Sequence, residues 1–263
     1  MELHKLFDLT GKNAIITGGA GYLGKSISES LSEAGANVFV ASRDLEKCTA
    51  WASQLSGKTR NYAEGRRLDI SDELSIQSCF EDIYARFGTI DILVNNSSFS
   101  SPGKVEELTE KAWNDGIDGT LNGVFRCTKY ALSYMMAQRK GVILNVASMY
   151  GVVSPNPEIY GTTGFDNPAN YGAGKAGIIQ FTKYVACHYG RFGIRCNAIS
   201  PGPFPQEDVQ KNPWFMEQLS RKTPLGRIGR PDELKGAVVF LSSEASSYIT
   251  GQNICADGGW TAW

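Results

Sequence analysis

A glycine-rich loop near the N-terminus constrains the fold of this chain more than any other feature. The loop reads Thr17-Gly18-Gly19-Ala20-Gly21-Tyr22-Leu23-Gly24, between an apolar run at 14–16 and a helix-like stretch at 25–31. The glycines at 19, 21 and 24 have the G-x-G-x-x-G spacing, which permits a tight turn, close approach of backbone to a pyrophosphate, and packing of helix on strand. With a second apolar run at 37–41, the pattern predicts a βαβ unit that binds a nucleotide.

Short apolar segments alternate with helical ones along the whole chain. Strands are predicted at 13–17, 37–41, 65–68, 90–95, 141–147, 193–199 and 252–255. Helices are predicted near 22–34, 44–55, 72–87, 110–138, 170–190, 213–220, 231–242 and 244–248. This order predicts an α/β, Rossmann-type doubly wound fold, with a parallel sheet and helices on both faces. Ligands of such sheets bind beyond the carboxyl ends of the strands.

Tyr171 and Lys175 lie four residues apart in a predicted helix, so both side chains project from one helix face. A phenol ordinarily has a pKa near 10, and a neighbouring ammonium lowers that pKa. The pair therefore predicts a general acid/base for proton exchange with an alcohol oxygen. Such pairs also occur by chance on exposed helices, and the nucleotide loop is what favours the catalytic interpretation.

Composition narrows the functional classes. The 263 residues form one predicted domain, 1–263, without a linker. The net charge of −1 gives no indication of a surface that binds nucleic acid. No apolar run reaches 18 residues and no secretory leader begins the chain, so neither a membrane span nor export is expected. Six scattered cysteines and two histidines predict reduced thiols in a cytoplasmic protein without a metal site.

Taken together, these motifs resemble the short-chain dehydrogenase/reductase family, in its compact single-domain branch, over essentially the full length. The matching residues are the loop 17–24, Asp69-Ile70, Asn95-Asn96, Asn145-Val146-Ala147-Ser148, Tyr171 with Lys175, Pro201-Gly202 and Asp257-Gly258-Gly259. The resemblance implies a seven-stranded Rossmann sheet and an NAD(P)-dependent enzyme. In the reaction that the resemblance implies, a hydride would move between the nicotinamide of the cofactor and a carbonyl or alcohol carbon of the substrate.

The resemblance also implies roles for individual residues. Tyr171 would exchange the proton, Ser148 would hydrogen-bond the same substrate oxygen, and Lys175 would bond the nicotinamide ribose and lower the Tyr171 pKa. Asp69 would accept a bond from the adenine amino group. The full expected cofactor set is Gly18, Gly19, Gly21, Tyr22, Leu23, Gly24, Ser42, Arg43, Asp69, Ile70, Asn95, Tyr171, Lys175, Pro201, Gly202 and Phe204. Simple helix capping remains the alternative for Ser148 and for Asp69.

Two departures from the family pattern concern the loop and the proton relay. Tyr22 stands where the compact branch has glycine, and the resulting spacing resembles the extended branch of sugar-nucleotide epimerases and dehydratases. Tyr22 would either cover the pyrophosphate or only begin the helix. Thr120 stands at the position of the catalytic asparagine that anchors a water. Thr120 is therefore a candidate for holding that water, while Asn122 should point elsewhere on the helix.

Two segments are expected to border the substrate. The stretch 155–167 is an insertion between Ser148 and Tyr171, and its polar and aromatic content favours a hydroxyl-rich substrate over a lipid. A neutral surface insertion is the alternative. The region 203–224 is the expected substrate lid, because loops on a rigid scaffold commonly close over substrates. Within it, Gln206 could replace the threonine that usually bonds the carboxamide.

The end of the second strand bears on the form of the cofactor. An acidic residue there would bond the 2′-hydroxyl of NAD, whereas this chain has Ser42-Arg43-Asp44. Arg43 could bond a 2′-phosphate, so NADP(H) is favoured over NAD(H). The alternative is that Arg43 pairs with Asp44 on the surface.

The expected function is oxidoreduction of a small polar, sugar-like or polyol substrate, similar to gluconate dehydrogenase-like enzymes. Two other classes stay open at this point: a sugar-nucleotide epimerase or dehydratase, and a non-catalytic nucleotide sensor. The helices at 110–138 and 170–190 carry apolar residues on more than one face, so we expect them to form subunit interfaces in a homotetramer or homodimer.

Overall fold

The computed structural model describes residues 2–263 and is built around seven parallel strands. They are β1 (Asn13–Thr17), β2 (Asn37–Ser42), β3 (Ala63–Arg67), β4 (Ile92–Asn95), β5 (Gly141–Val146), β6 (Ile194–Pro201) and β7 (Asn253–Ala256). Their order in the sheet is β3-β2-β1-β4-β5-β6-β7, and every neighbouring pair is parallel. The predicted doubly wound sheet is confirmed.

Helices cover both faces of this sheet. They are α1 (Leu3–Leu6), α2 (Tyr22–Glu33), α3 (Leu45–Thr59), α4 (Glu73–Phe87), α5 (Glu110–Ile117), α6 (Gly123–Gln138), α7 (Ala169–Tyr189), α8 (Glu207–Gln210), α9 (Pro213–Lys222) and α10 (Lys235–Ser242). One apolar core lies under α2, α3 and α10, and a second lies under α4, α6 and α7. Alternate residues of β1 enter the two cores: Ile16 enters the first and Ile15 the second.

The chain reverses its direction of travel across the sheet between β1 and β4. Strands β1 to β3 step outward on one side of β1, and β4 to β7 step outward on the other. The carboxyl ends of β1 and β4 therefore flank a crevice, which is where open α/β sheets bind their ligands. The register Ala14↔Ile92 to Ile16↔Val94 fixes how the two strand ends meet.

The predicted helix 110–138 is interrupted in the structure. A wide helical turn at Asp118–Asn122 separates α5 from α6. The Thr120 hydroxyl donates to the carbonyl of Gly116 at 2.7 Å, a back-bond to the preceding turn that competes with regular helix geometry. Such wide turns are often found at functional sites. Residues 207–210 form a short helix, α8, that the sequence pattern did not predict.

Candidate active site

The glycine-rich loop forms a cradle at the start of α2. Gly18 has a left-handed φ of 64°, and the Gly21 N–H donates to the Gly18 carbonyl at 2.9 Å. A Cβ added at Gly24 would overlap that carbonyl oxygen, so the turn requires glycine there. Gly21 is the N-cap of α2 and supplies no side-chain cap, which leaves the first N–H groups of the helix free for phosphate oxygens. The cradle fits a dinucleotide pyrophosphate.

Residues at the end of β4 tie this loop to the sheet. The Asn96 amide donates to the carbonyls of Thr17 and Gly18, at 3.0 and 3.1 Å. Asn95, expected at the cofactor, is instead buried and donates to Thr128 and Asn145 at 3.1 and 2.8 Å. Asn95 does not line the cleft, and Asn96 does. The structure therefore places Asn96, and not Asn95, at the cleft, because consecutive residues of an extended segment face opposite sides of a sheet.

A cleft of about 560 Å³ runs from the ends of β2 and β3 past the loop to β5 and α7. At one end it is lined by Ser42, Arg43, Asp69 and Ile70, as expected, and also by Asp44 and Lys47. Arg43 forms no ion pair with Asp44 in the described structure. The Asp44 carboxylate instead caps α3 by accepting the Lys47 N–H at 2.9 Å. Two cations, Arg43 and Lys47, therefore border this end of the cleft.

Asp69 holds a turn while it lines the cleft. Its Oδ1 accepts the N–H and the hydroxyl of Ser71, both at 2.9 Å. The cap of α4 is Asp72, which accepts the Leu74 N–H. The alternative role of Asp69 as the cap of this helix is therefore excluded. Asp69 remains an adenine-binding candidate.

Ser148, Tyr171 and Lys175 meet at the other end of the cleft. Ser148 follows β5 and caps a short helical turn by accepting the Tyr150 N–H at 3.1 Å. Tyr171 and Lys175 lie one turn apart on α7, and the Lys175 Nζ is 5.5 Å from the centre of the Tyr171 ring. The Lys175 ammonium donates to the Val146 carbonyl at 2.8 Å. The predicted trio is thus brought together at one sheet edge.

Burial has the largest effect on the pKa values of Tyr171 and Lys175. It raises the pKa of Tyr171, a hydrogen bond with Ser148 opposes that shift, and nearby Tyr160 adds to it. Burial lowers the pKa of Lys175 to about 8. Burial outweighs the expected lowering of the Tyr171 pKa by Lys175, whose ammonium is engaged by the Val146 carbonyl. Tyr171 is therefore a protonated phenol at neutral pH.

Thr120 does not reach the cleft. It is fully buried where the wide helical turn meets α7, and its hydroxyl is engaged by the Gly116 carbonyl. A Cβ at Gly174 would overlap the Thr120 hydroxyl, so the two helices approach closely here. Thr120 is thus a packing residue, and the expectation that it holds a catalytic water is not supported by this geometry.

A second cavity, of about 280 Å³, adjoins the trio. The insertion contributes Tyr160, Phe165, Asp166 and Asn167, and the 203–224 segment contributes one wall. The Tyr160 hydroxyl lies 2.9 Å from that of Tyr150 and accepts the Asn167 amide at 2.8 Å. The insertion therefore lines the cavity next to Tyr171.

Gly202 borders both cavities, and Pro201 lines the larger cleft. Gly202 lies so close to the Asp257 backbone that an added Cβ would be 2.5 Å from the Asp257 Cα. The Asp257 carboxylate accepts hydrogen bonds from the N–H groups of Gly259 and Thr261, both at 2.9 Å. The Asp-Gly-Gly ending thus supports the backbone that borders the site.

Several cleft residues were not predicted as ligands. They are Ala20, Asp44, Lys47, Leu68, Asn96, Ser97, Ser98, Phe99, Val146 and Ala147, whereas Gln206, a candidate for bonding the carboxamide, does line the cleft. Lys47 could have been found, because it lies in the first turn after Arg43. Gly19, by contrast, was predicted but does not line the cleft, since its Cβ position faces Ile16 and Val40 beneath the turn.

Comparisons with known proteins agree with this architecture. A family model described as enoyl-(acyl carrier protein) reductase matches residues 19–261. The 3-oxoacyl-(acyl carrier protein) reductase of Thermotoga maritima is 35% identical over 255 residues, covering 95% of this chain and 98% of the relative. A short-chain type dehydrogenase/reductase from Mycobacterium marinum has a TM-score of 0.90 and 31% identity, with 100% of each chain covered. A gluconate 5-dehydrogenase from Burkholderia cenocepacia, solved with NADP and tartrate, has a TM-score of 0.89 and 29% identity, also over 100% of each chain.

Fold, site and relatives agree on the class of protein, an oxidoreductase built on a dinucleotide-binding sheet. The chain belongs to the short-chain dehydrogenase/reductase family. The relatives named above are reductases and dehydrogenases, which favours oxidoreduction over the epimerase or dehydratase alternative. None of the helices in the described part of the chain has the length and hydropathy needed to cross a bilayer.

Gly24→Ala tests the cradle. The added methyl group overlaps the Gly18 carbonyl, so we expect NADPH affinity to fall at least about tenfold and stability to fall by about 1–3 kcal/mol. Fluorescence titration and urea denaturation measure the two effects. Gly57→Ala in α3 is the matched control, because its Cβ meets no atom within 4 Å. Equal affinities for Gly24→Ala and wild type would contradict the cradle.

Lys175 gives the protein a defined pH dependence. Its pKa is about 8 when folded, against an ordinary value of 10.5. Between these values the unfolded chain binds a proton that the folded protein has lost, so stability rises with pH. We expect the unfolding free energy of wild type, relative to Lys175→Met, to increase from pH 8 to 10.5 in urea denaturation. Lys183→Met, an exposed lysine on the same helix, is the control. If the unfolding free energies of wild type and Lys175→Met changed with pH in the same way, the lowered pKa of buried Lys175 would be refuted.

Proposed function

We propose that this enzyme is an NADP(H)-dependent carbonyl reductase and alcohol dehydrogenase in which Tyr171 is the general acid/base. The observation that carries the proposal is that the two cavities meet: Ser148, Tyr171, Gly202 and Phe204 line both of them. A cofactor in the larger cleft and a substrate in the smaller cavity would touch at these residues. The phenol is then adjacent to the reacting oxygen.

The proposed chemistry follows from the geometry and the burial. Bound NADPH supplies the hydride for the carbonyl carbon. Tyr171, kept protonated by burial, donates its proton to the carbonyl oxygen, while the Ser148 hydroxyl bonds the same oxygen and stabilises the charge that develops there. The Lys175 ammonium, 5.5 Å from the Tyr171 ring centre, stabilises the phenolate left behind. In the reverse direction Tyr171 accepts the proton from an alcohol.

The preference for NADP(H) is supported by charge at the far end of the cleft. Arg43 and Lys47 both line it, and the Asp44 carboxylate beside them caps α3 without forming an ion pair with Arg43. Two cations next to Ser42 favour a 2′-phosphate, which the 2′-hydroxyl of NAD lacks. The relative solved with NADP gives independent support. NAD(H) remains a weaker alternative.

For the substrate we propose a small, uncharged, sugar-like or polyol compound. Aromatic side chains wall the cavity, and the Asn167 amide and Asp166 carboxylate provide partners for hydroxyl groups. Among the described residues that line the cavity, Asp166 is the one charged group. The carboxylate of a sugar acid would therefore find no cationic side chain to pair with there. The gluconate 5-dehydrogenase relative supports the carbohydrate class, whereas the Thermotoga relative supports an acyl thioester. The volume of about 280 Å³ favours the compact substrate.

We also propose that the protein assembles as a homotetramer or homodimer through α5, α6 and α7. Trp113, Phe125 and Tyr184 on these helices are 38%, 51% and 52% exposed. Large exposed aromatic side chains are typical of interfaces.

The six cysteines, all described and all unpaired, are consistent with the expected cytoplasmic location.

Tyr171→Phe tests the catalytic assignment. The variant keeps the ring and loses the proton, so we expect carbonyl reduction to fall at least about a hundredfold, with NADPH affinity changed less than about twofold. Turnover is followed by NADPH absorbance and binding by nicotinamide fluorescence. Tyr248→Phe, a fully exposed tyrosine away from both cavities, is the control. Unimpaired turnover in Tyr171→Phe would remove Tyr171 from the mechanism.

A substrate panel tests the proposed specificity. Wild type should reduce D-fructose with a higher kcat/KM than 5-keto-D-gluconate or acetoacetyl-coenzyme A. Asp166→Asn removes the repelling charge and should raise the relative kcat/KM for 5-keto-D-gluconate by about tenfold. Asp115→Asn, remote from the cavity, should leave that ratio unchanged. A wild-type preference for the thioester would overturn the sugar-like assignment and retain the reductase.

A further inference from the structure

Tyr22, the residue that departs from the family loop, contacts a segment far along the chain. It begins α2, where its backbone has none of the left-handed geometry that would require glycine. Its hydroxyl donates to the Pro205 carbonyl at 2.9 Å, across 183 positions of sequence. The side chain therefore joins the cofactor loop to the segment that follows β6.

Gln210 completes this connection from the end of α8. Its amide nitrogen donates to the Pro205 carbonyl at 2.8 Å and lies 3.4 Å from the Tyr22 hydroxyl. One carbonyl thus accepts hydrogen bonds from both side chains. Burial raises the pKa of Tyr22, which keeps its hydroxyl a donor at neutral pH. We name this group of Tyr22, Pro205 and Gln210 the latch.

The segment held by the latch lies between the two cavities. Phe204 lines both, and Gln206 and Tyr22 line the larger cleft beside the glycine cradle. The ring of Phe204 is wedged against Gly229, where an added Cβ would lie 2.6 Å from it. Pro203 and Pro205 flank Phe204 and restrict the backbone on either side. Movement of this segment would therefore open the cofactor cleft at the pyrophosphate.

We propose that Tyr22 is a positioning residue that latches residues 203–210 over the cofactor cleft, so that release of the dinucleotide requires the latch to open. The proposal rests on the cofactor site described above and adds a role that glycine at this position could not have. The latch is a contact between two structural segments and takes no part in the proton transfer. Its loss should change the rate of cofactor release more than the chemistry.

Tyr22→Phe removes the latch hydroxyl and retains the ring. Loss of one such hydrogen bond should raise the NADPH dissociation rate about fivefold, measured by stopped-flow displacement of bound NADPH with excess NADP⁺. Gln210→Ala should act in the same direction. The double variant should show less than the product of the two effects, because both side chains bond one carbonyl. Tyr62→Phe is the matched control, since its exposed hydroxyl bonds Glu64 away from the cleft.

A second readout uses the free protein and does not depend on cofactor binding. Lys211 directly follows the latched helix, so limited trypsin digestion should cut there about fivefold faster in Tyr22→Phe than in wild type or Tyr62→Phe. Unchanged cleavage at Lys211 together with an unchanged NADPH dissociation rate in Tyr22→Phe would overturn the latch. Failure of wild type to bind NADPH would instead contradict the proposed function, and the digestion would still decide the latch.

Discussion

The pairing of β1 with β4 is the interaction on which the rest of this structure depends. Both strands are fully buried, and their register from Ala14↔Ile92 to Ile16↔Val94 brings two loops to one edge of the sheet. The Asn96 amide then fastens the carbonyls of Thr17 and Gly18. Because the sheet order reverses at this pair, the crevice it creates is open to a ligand. The cradle, the cleft and the catalytic trio are all placed relative to this edge.

Desolvation sets the chemistry at that edge. Lys175 is almost completely buried, and its ammonium is held by one backbone carbonyl. Burial acts in opposite directions on the two ionisable groups, lowering the pKa of Lys175 and raising that of Tyr171. The phenol is thereby kept protonated while the lysine is close to releasing its proton. This arrangement suits reduction, in which the first requirement is a proton for the carbonyl oxygen.

Local patterns predicted the parts of the site that depend on local geometry. The glycine spacing, the strand-helix alternation and the four-residue separation of Tyr171 and Lys175 each specify structure within a few residues, and the structure has them where they were expected. Asn95 was expected near the cofactor from the family resemblance, and the structure instead brings Asn96 to the cleft, because the facing side of a residue depends on exact strand placement. Thr120 lies in a wide turn that interrupts the helix, outside the cleft, and no simple periodicity reveals such a turn.

The parts that sequence could not predict depend on distant segments. Tyr160 and Phe165 of the insertion pack against Phe215 of α9, with ring centres 5.6 and 5.1 Å from it. That packing makes a segment of polar and aromatic composition one wall of a cavity that is lined largely by aromatic and aliphatic side chains. The contact of Tyr22 with Pro205 likewise spans most of the chain. Tertiary contacts of this kind have no signature in a window of ten or twenty residues.

Titration of the purified protein with NADPH and, separately, with NADH, followed by nicotinamide fluorescence, tests the central claim most directly. The account predicts that NADPH binds at least about tenfold more tightly than NADH, because Arg43 and Lys47 border the end of the cleft where the 2′-phosphate would lie. Equal or tighter binding of NADH would contradict the assignment of these two cations. Binding of neither nucleotide would contradict the oxidoreductase account as a whole.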